Sequence, residues 1–185
     1  MADRKTRNGS SGPAEAGPYL RSVTRLRVPL GFVCAGMAFW LARPSPASVV
    51  AGMSVAALGE LIRLWAAGHI EKGREITRSG PYRFIRHPLY AGSAVMGVGF
   101  MIAARSLPAA MVVGVYLVIA LMSAARAEEA VLDARFRGEY AAYREGRAAP
   151  SDRPFSLARV RANREYRAVI GLAIGCVLLY LRARF

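Results

Sequence analysis

Two polar stretches in an otherwise apolar chain hold the residue types that can do chemistry. The first, SGPYRFIRHPLYAG from Ser79 to Gly92, packs three aromatics, two arginines, one histidine and two prolines close together. The second, RAEEAVLDARFRGEYAAY from Arg126 to Tyr143, contains the carboxylate pair Glu128 and Glu129. An imidazole moves protons near neutral pH, and carboxylates accept hydrogen bonds from hydroxyls and amines. The chemistry within reach is therefore proton transfer and the binding of a small molecule that carries such groups.

Both stretches need elements to position them. Pro88 suits the first turn of a helix, where its missing N–H has no helical partner, so His87 falls at the helix mouth, beside free N–H groups and the positive dipole end. Gly80 and Pro81 form a turn that aims Tyr82, Arg83 and Arg86 at the same rim; a plain collar of Tyr and Arg at a membrane interface has the same composition. In the second stretch Glu128, Leu132, Phe136, Tyr140 and Tyr143 recur every three or four residues, which predicts one face of a helix. Glu128 then lies on the inward stripe and needs an Arg or a ligand's hydroxyls or amine as partner, unless the pair Glu128 and Glu129 merely complements a helix dipole.

The rest of the chain reads as membrane. Of its 185 residues 54% are hydrophobic, and the mean hydropathy is +0.25. The net charge of +14 does not form one stripe; the basic residues fall in the gaps between apolar runs, which argues against nucleic acid. Cys34 and Cys176 sit within apolar runs and indicate neither a disulfide framework nor a metal site. Residues 1–25 lack an apolar core and read as a disordered cytoplasmic tail, with one domain over 26–185.

Five apolar runs, Leu26 to Ala42, Ala47 to Gly68, Leu89 to Ala104, Ser106 to Ala125 and Ala168 to Leu181, are compared with the ~20 residues that cross a bilayer. They predict an all-α membrane bundle of about five spans with two tight hairpins and a cytoplasmic amphipathic helix. Lys and Arg number 21 in the tail and the connections after the second and fourth runs, against four on the other side, which puts the N-terminus and both polar stretches in the cytoplasm. A prokaryotic inner membrane is the simplest location, and the endoplasmic reticulum obeys the same rule. Glu60 and Arg63, three apart inside the second run, form either a structural ion pair or the floor of an acceptor pocket.

The motif order GPY, RHPLYAG, hydrophobic hairpin, EE, FRGEYAAY resembles the isoprenylcysteine carboxyl methyltransferase and phospholipid methyltransferase superfamily of membrane enzymes, over residues 74–150. The resemblance implies S-adenosylmethionine bound at the cytoplasmic helix ends and methyl transfer to a lipophilic acceptor, with no metal. It implies that Glu75, Ile76 and Thr77 edge the cofactor site, that Tyr82, His87, Pro88, Leu89 and Tyr90 line it, and that Glu128 accepts from the cofactor's polar end. Arg86, His87 and Glu129 are the implied catalytic and supporting groups, and Glu60, Arg63 and Arg126 the substrate candidates. Prenylcysteine-specific members carry an Arg where Ala124 stands here. Membrane sterol reductases share a related His-Pro-x-Tyr, and a reductase using NADPH is the second reading; a non-catalytic scaffold is the third.

Overall fold

Serine and proline set the helix starts. Ser45 caps the second helix through Ser48 N–H (3.2 Å), while Ser48 Oγ accepts from Ser45 N–H (2.9 Å), and Pro46 occupies the first turn. Pro88 starts the third helix, and Ser106 with Pro108 the fourth. The computed structural model describes residues 18–71, 75–136 and 138–185, with side chains from Leu26 on except Arg27; the expected tail lies, through residue 17, outside the described residues.

Among the described residues the fold is all-α, as expected, with no strand. The helices are α1 (Pro18–Leu41), α2 (Pro46–Ala67), α3 (Pro88–Ala104), α4 (Leu107–Arg135), α5 (Glu139–Arg144), α6 (Leu157–Ala162) and α7 (Tyr166–Arg184). Three of them, α2, α4 and α7, are long and apolar enough to cross a membrane; Val28–Leu41 and Pro88–Ala104 are shorter apolar helices. α4 has 29 residues, about 43 Å at about 1.5 Å per residue, so it exceeds the roughly 30 Å hydrocarbon core and leaves a polar end free to project.

The bundle buries small residues and exposes large apolar ones. Its core contains Ala38, Ala42, Ala103, Ala104 and Ala109, while Phe32, Trp40, Val115, Val118, Ile119 and Ile174 face outward. That inversion suits a lipid surround, where close helix contact replaces the hydrophobic effect as the packing force. The α2–α3 hairpin shows it best. A Cβ on Gly99 would stand 2.5 Å from the Gly52 carbonyl, and one on Gly59 would stand 2.6 Å from that of Gly92, so these backbones touch. The Gly97 to Ile102 stretch is likewise packing surface: Gly97 abuts Leu117 of α4.

Tight links close one end of the bundle. Arg43 N–H donates to the Ala104 carbonyl (2.9 Å), and Arg182 reaches the carbonyls of Ala42 (3.0 Å) and Trp40 (2.9 Å). The long connections collect at the other end, where α2 and α4 finish and α3 and α7 begin.

Candidate active site

At that end the connection after α2 forms a 3-10 turn, Gly80–Arg83, and turns into α3 at His87. Gly80 has φ +56°, and a Cβ there would meet the His69 ring at 2.7 Å, so glycine is required on both counts. The turn buries Tyr82 and exposes Arg83 and Arg86.

A cavity of about 370 Å³ lies between this connection and the end of α4. One wall is Ile70, Glu71, Glu75, Ile76, Thr77, Tyr82, Arg86 and His87; the other is Ala127, Glu128, Val131, Leu132, Arg135 and Phe136, closed by Tyr140 and Tyr143 of α5. All five stripe residues from Glu128 to Tyr143 thus face one space. They do not lie on one helix: α4 stops at Arg135, and Gly138 takes φ +79° before α5 starts, so the stripe bends around the cavity. The period ran through a glycine that the backbone uses as a corner.

His87 joins the two polar stretches. Its Nε2 lies 3.0 Å from Glu129 Oε1 and its Nδ1 3.8 Å from Glu128 Oε2, while Tyr90 stacks on the ring at 5.5 Å. The partner of the carboxylate pair is therefore the histidine, not an arginine. Because an ionised carboxylate only accepts, the contact with Glu129 assigns the N–H to Nε2 and leaves the Nδ1 lone pair toward Glu128.

Three phenols complete the wall. Burial pushes the Tyr82 hydroxyl well above its usual range, with the Glu128 carboxylate acting in the same direction. Burial, then the neighbouring Glu129, pushes Tyr140 up to about 12, and burial raises Tyr143. All three stay protonated at ordinary pH and are donors, which leaves His87 and the carboxylates as the bases. Tyr143 donates to the Tyr82 carbonyl at 2.8 Å, tying α5 to the 3-10 turn.

The remaining expected residues lie around this centre. Pro88 is buried behind His87, and Leu89 packs on Ala66, Ile70 and Tyr82, so both support the wall from behind. Arg126 is exposed and does not border the cavity, and Ala124 is buried one turn deeper in α4. Glu60 and Arg63 are also outside it. Arg63 pairs with Glu60 (3.6 Å) and with Glu165 beside α7 (2.7 Å), and donates to Ser93 of α3. Sequence reasoning missed Ile70, Glu71 and the row Ala127, Val131, Arg135. That row repeats every four residues beside the Glu128 stripe, a signal a wider helical face would have captured; Glu71 carried none.

At the closed end a larger, open cleft of about 590 Å³ lies between Phe39, Leu178 and Arg182, but no carboxylate or histidine borders it. The smaller cavity is bordered by both residue types.

A lipid-facing helical bundle with a largely apolar cavity that holds a histidine and carboxylates at one set of helix ends defines an integral membrane protein with an enzyme-like site. The family model described as phospholipid methyltransferase matches residues 27–139, and the chain belongs to that family of membrane methyltransferases. The match covers α1 to the start of α5 and with it most of the cavity. No curated protein and no solved structure matches the chain significantly.

Proposed function

We propose that the cavity binds S-adenosylmethionine and that the enzyme moves its methyl group to a lipophilic acceptor at the cytoplasmic face of the membrane, a prokaryotic inner membrane being the simplest case. The observation that carries this reading is the pair of orphan donors in the wall. Thr77 Oγ1 and the Tyr82 hydroxyl are buried and have no hydrogen-bond partner among the described residues, yet both border a space that also holds Glu128. A buried donor without an acceptor is costly, so a ligand with acceptors for Thr77 and Tyr82 and donors for Glu128 fits. S-adenosylmethionine offers both, and when bound it supplies a methyl on a sulfonium, an already activated leaving group.

The protein's part is then to hold and to shield. Glu75, Ile76, Thr77 and Tyr82 form one side of the holding surface and Glu128 the other, with His87 between them. Fixing two reactants in line and excluding water is worth roughly 7–11 kcal/mol of barrier, the main catalytic contribution available here. For a carboxylate acceptor no base is needed. For an acceptor whose nucleophile carries a proton, His87 takes that proton at Nδ1, and the imidazolium is held by Glu129 at Nε2 and Glu128 nearby. Arg86 borders the same space as a cation for an anionic acceptor group.

Charge supports the cytoplasmic assignment. The connections rich in Lys and Arg lie at the cavity end, while Arg43, Arg105, Arg182 and Arg184 lie at the other. The test is calorimetric titration of detergent-purified protein with S-adenosylmethionine and, separately, with NADPH, repeated on His87→Ala. Saturable binding of the first, at least tenfold weaker in the variant, is expected; binding of NADPH alone would move the reductase reading ahead, and binding of neither would end the enzyme reading.

A further inference from the structure

We infer that Arg153 is a positioning residue that fixes the Glu71–Glu75 wall of the cavity and so sets how tightly the donor is held, an inference that rests on the donor reading above. Glu71, Glu75 and Glu128 border one small space. Three carboxylates there repel one another, and an acidic wall without a counter-ion swings outward. Arg153 bridges two of them: Nη2 is 2.6 Å from Glu75 Oε1 and Nη1 3.5 Å from Glu71 Oε1, where Arg159 adds a second cation at 3.7 Å. Among the described residues no arginine ion pair is formed by Glu128, which faces His87 across 3.8 Å.

An ion pair this open to solvent has little strength by itself, because screening and side-chain entropy oppose it. The backbone around Arg153 removes much of that entropy cost. Residues 151–163 form a strap that is pinned on both flanks of the wall. On one flank Ser151 N–H donates to the Arg78 carbonyl (3.3 Å) and Arg83 to the Ser151 carbonyl (3.1 Å). On the other, Ser156 N–H (3.0 Å) and Arg159 Nε (2.7 Å) both donate to the Gly68 carbonyl, and Asn163 donates to that of Ala67 (3.0 Å). These bonds satisfy carbonyls at the end of α2, which a helix always leaves over. Phe155 closes the joint, its ring 6.0 Å from the buried His69. The guanidinium is thus held in place before any ligand arrives. The strap lies beyond residue 139, where the family match ends.

The experiment compares the full chain with Arg153→Ala, Arg153→Lys, Glu75→Gln and the double variant Arg153→Ala with Glu75→Gln. Each is titrated with S-adenosylmethionine, and amide hydrogen exchange is followed on ligand-free protein. Arg153→Ala is expected to weaken binding about three- to tenfold, with Lys restoring most of it and the double variant losing no more than the worse single one. Amides of Ile76, Thr77 and Tyr82 exchange faster in Arg153→Ala, while those in the middle of α2 and α3 keep their rates. Additive losses, no recovery with Lys, or unchanged exchange at those amides would overturn the inference. If the unmodified protein fails to bind S-adenosylmethionine, the donor reading falls and exchange alone decides the role of Arg153: faster rates sustain it, unchanged rates end it.

Discussion

Two carboxylate pairs, each facing one basic partner, sit near the same end of this bundle and have opposite fates. Glu60 and Glu165 converge on Arg63, which also holds Ser93, and both glutamates are almost wholly buried. Glu128 and Glu129 converge on His87, but each keeps about a third of its side-chain surface exposed, and the space before Glu128 is the cavity. The first set draws three helical elements together and, although both Glu60 oxygens and Arg63 Nε lack a hydrogen bond among the described residues, it borders neither cavity described above. In the second, an imidazole in contact with Glu129 through Nε2 keeps that carboxylate oriented and leaves Glu128 only loosely engaged. Availability, more than residue type, separates a structural cluster from a reactive one.

The comparison breaks most readily at Arg63. Arg63→Ala leaves two buried carboxylates unpaired, and the expected loss is about 3–5 kcal/mol of stability, read by chemical unfolding in detergent micelles. Donor affinity per folded molecule should hold. A variant that stays as stable as its parent but loses methyl transfer would instead place this cluster at the acceptor. Glu128→Gln should do the reverse. It keeps the shape and removes the charge, so donor affinity falls by about 10- to 100-fold, the range for a lost hydrogen bond to a charged group, while the unfolding midpoint stays close to that of the parent. An equal drop in both measurements would make Glu128 a packing residue and erase the distinction.

This distinction was only half legible in the sequence. Pro88 announced the helix mouth, and the fourfold recurrence from Glu128 to Tyr143 announced the residues that face the cavity, because both signals are local. Glu60 and Arg63 were legible as a pair, but not their closure by Glu165, which lies about a hundred positions away and meets them only because α7 returns beside α2. Glu71 and Arg153 were invisible for the same cause: each looks like ordinary surface charge until the strap sets one on the other. The corner at Gly138 was hidden because side-chain period continues through a glycine whether or not the backbone turns there.

Tyr143 lies between the two regimes and gives the finest test. Its hydroxyl donates to the Tyr82 carbonyl at 2.8 Å, so it belongs to the packing, while its ring borders the cavity, so it belongs to the site. Tyr143→Phe removes only the donor and leaves the Tyr82 carbonyl short of one partner, which is worth about 0.5–1.5 kcal/mol. If the bond serves mainly to hold α5 against the 3-10 turn, the loss appears in unfolding and donor affinity moves by less than about twofold. If it serves mainly to hold Tyr82 toward the ligand, the same energy appears as a two- to roughly tenfold loss of donor affinity with unfolding unchanged. The geometry favours the first outcome: α5 has only six residues, too few to be stable alone, whereas Tyr82 is already fixed by burial. Measuring unfolding and titration on this one variant therefore shows where packing ends and the site begins.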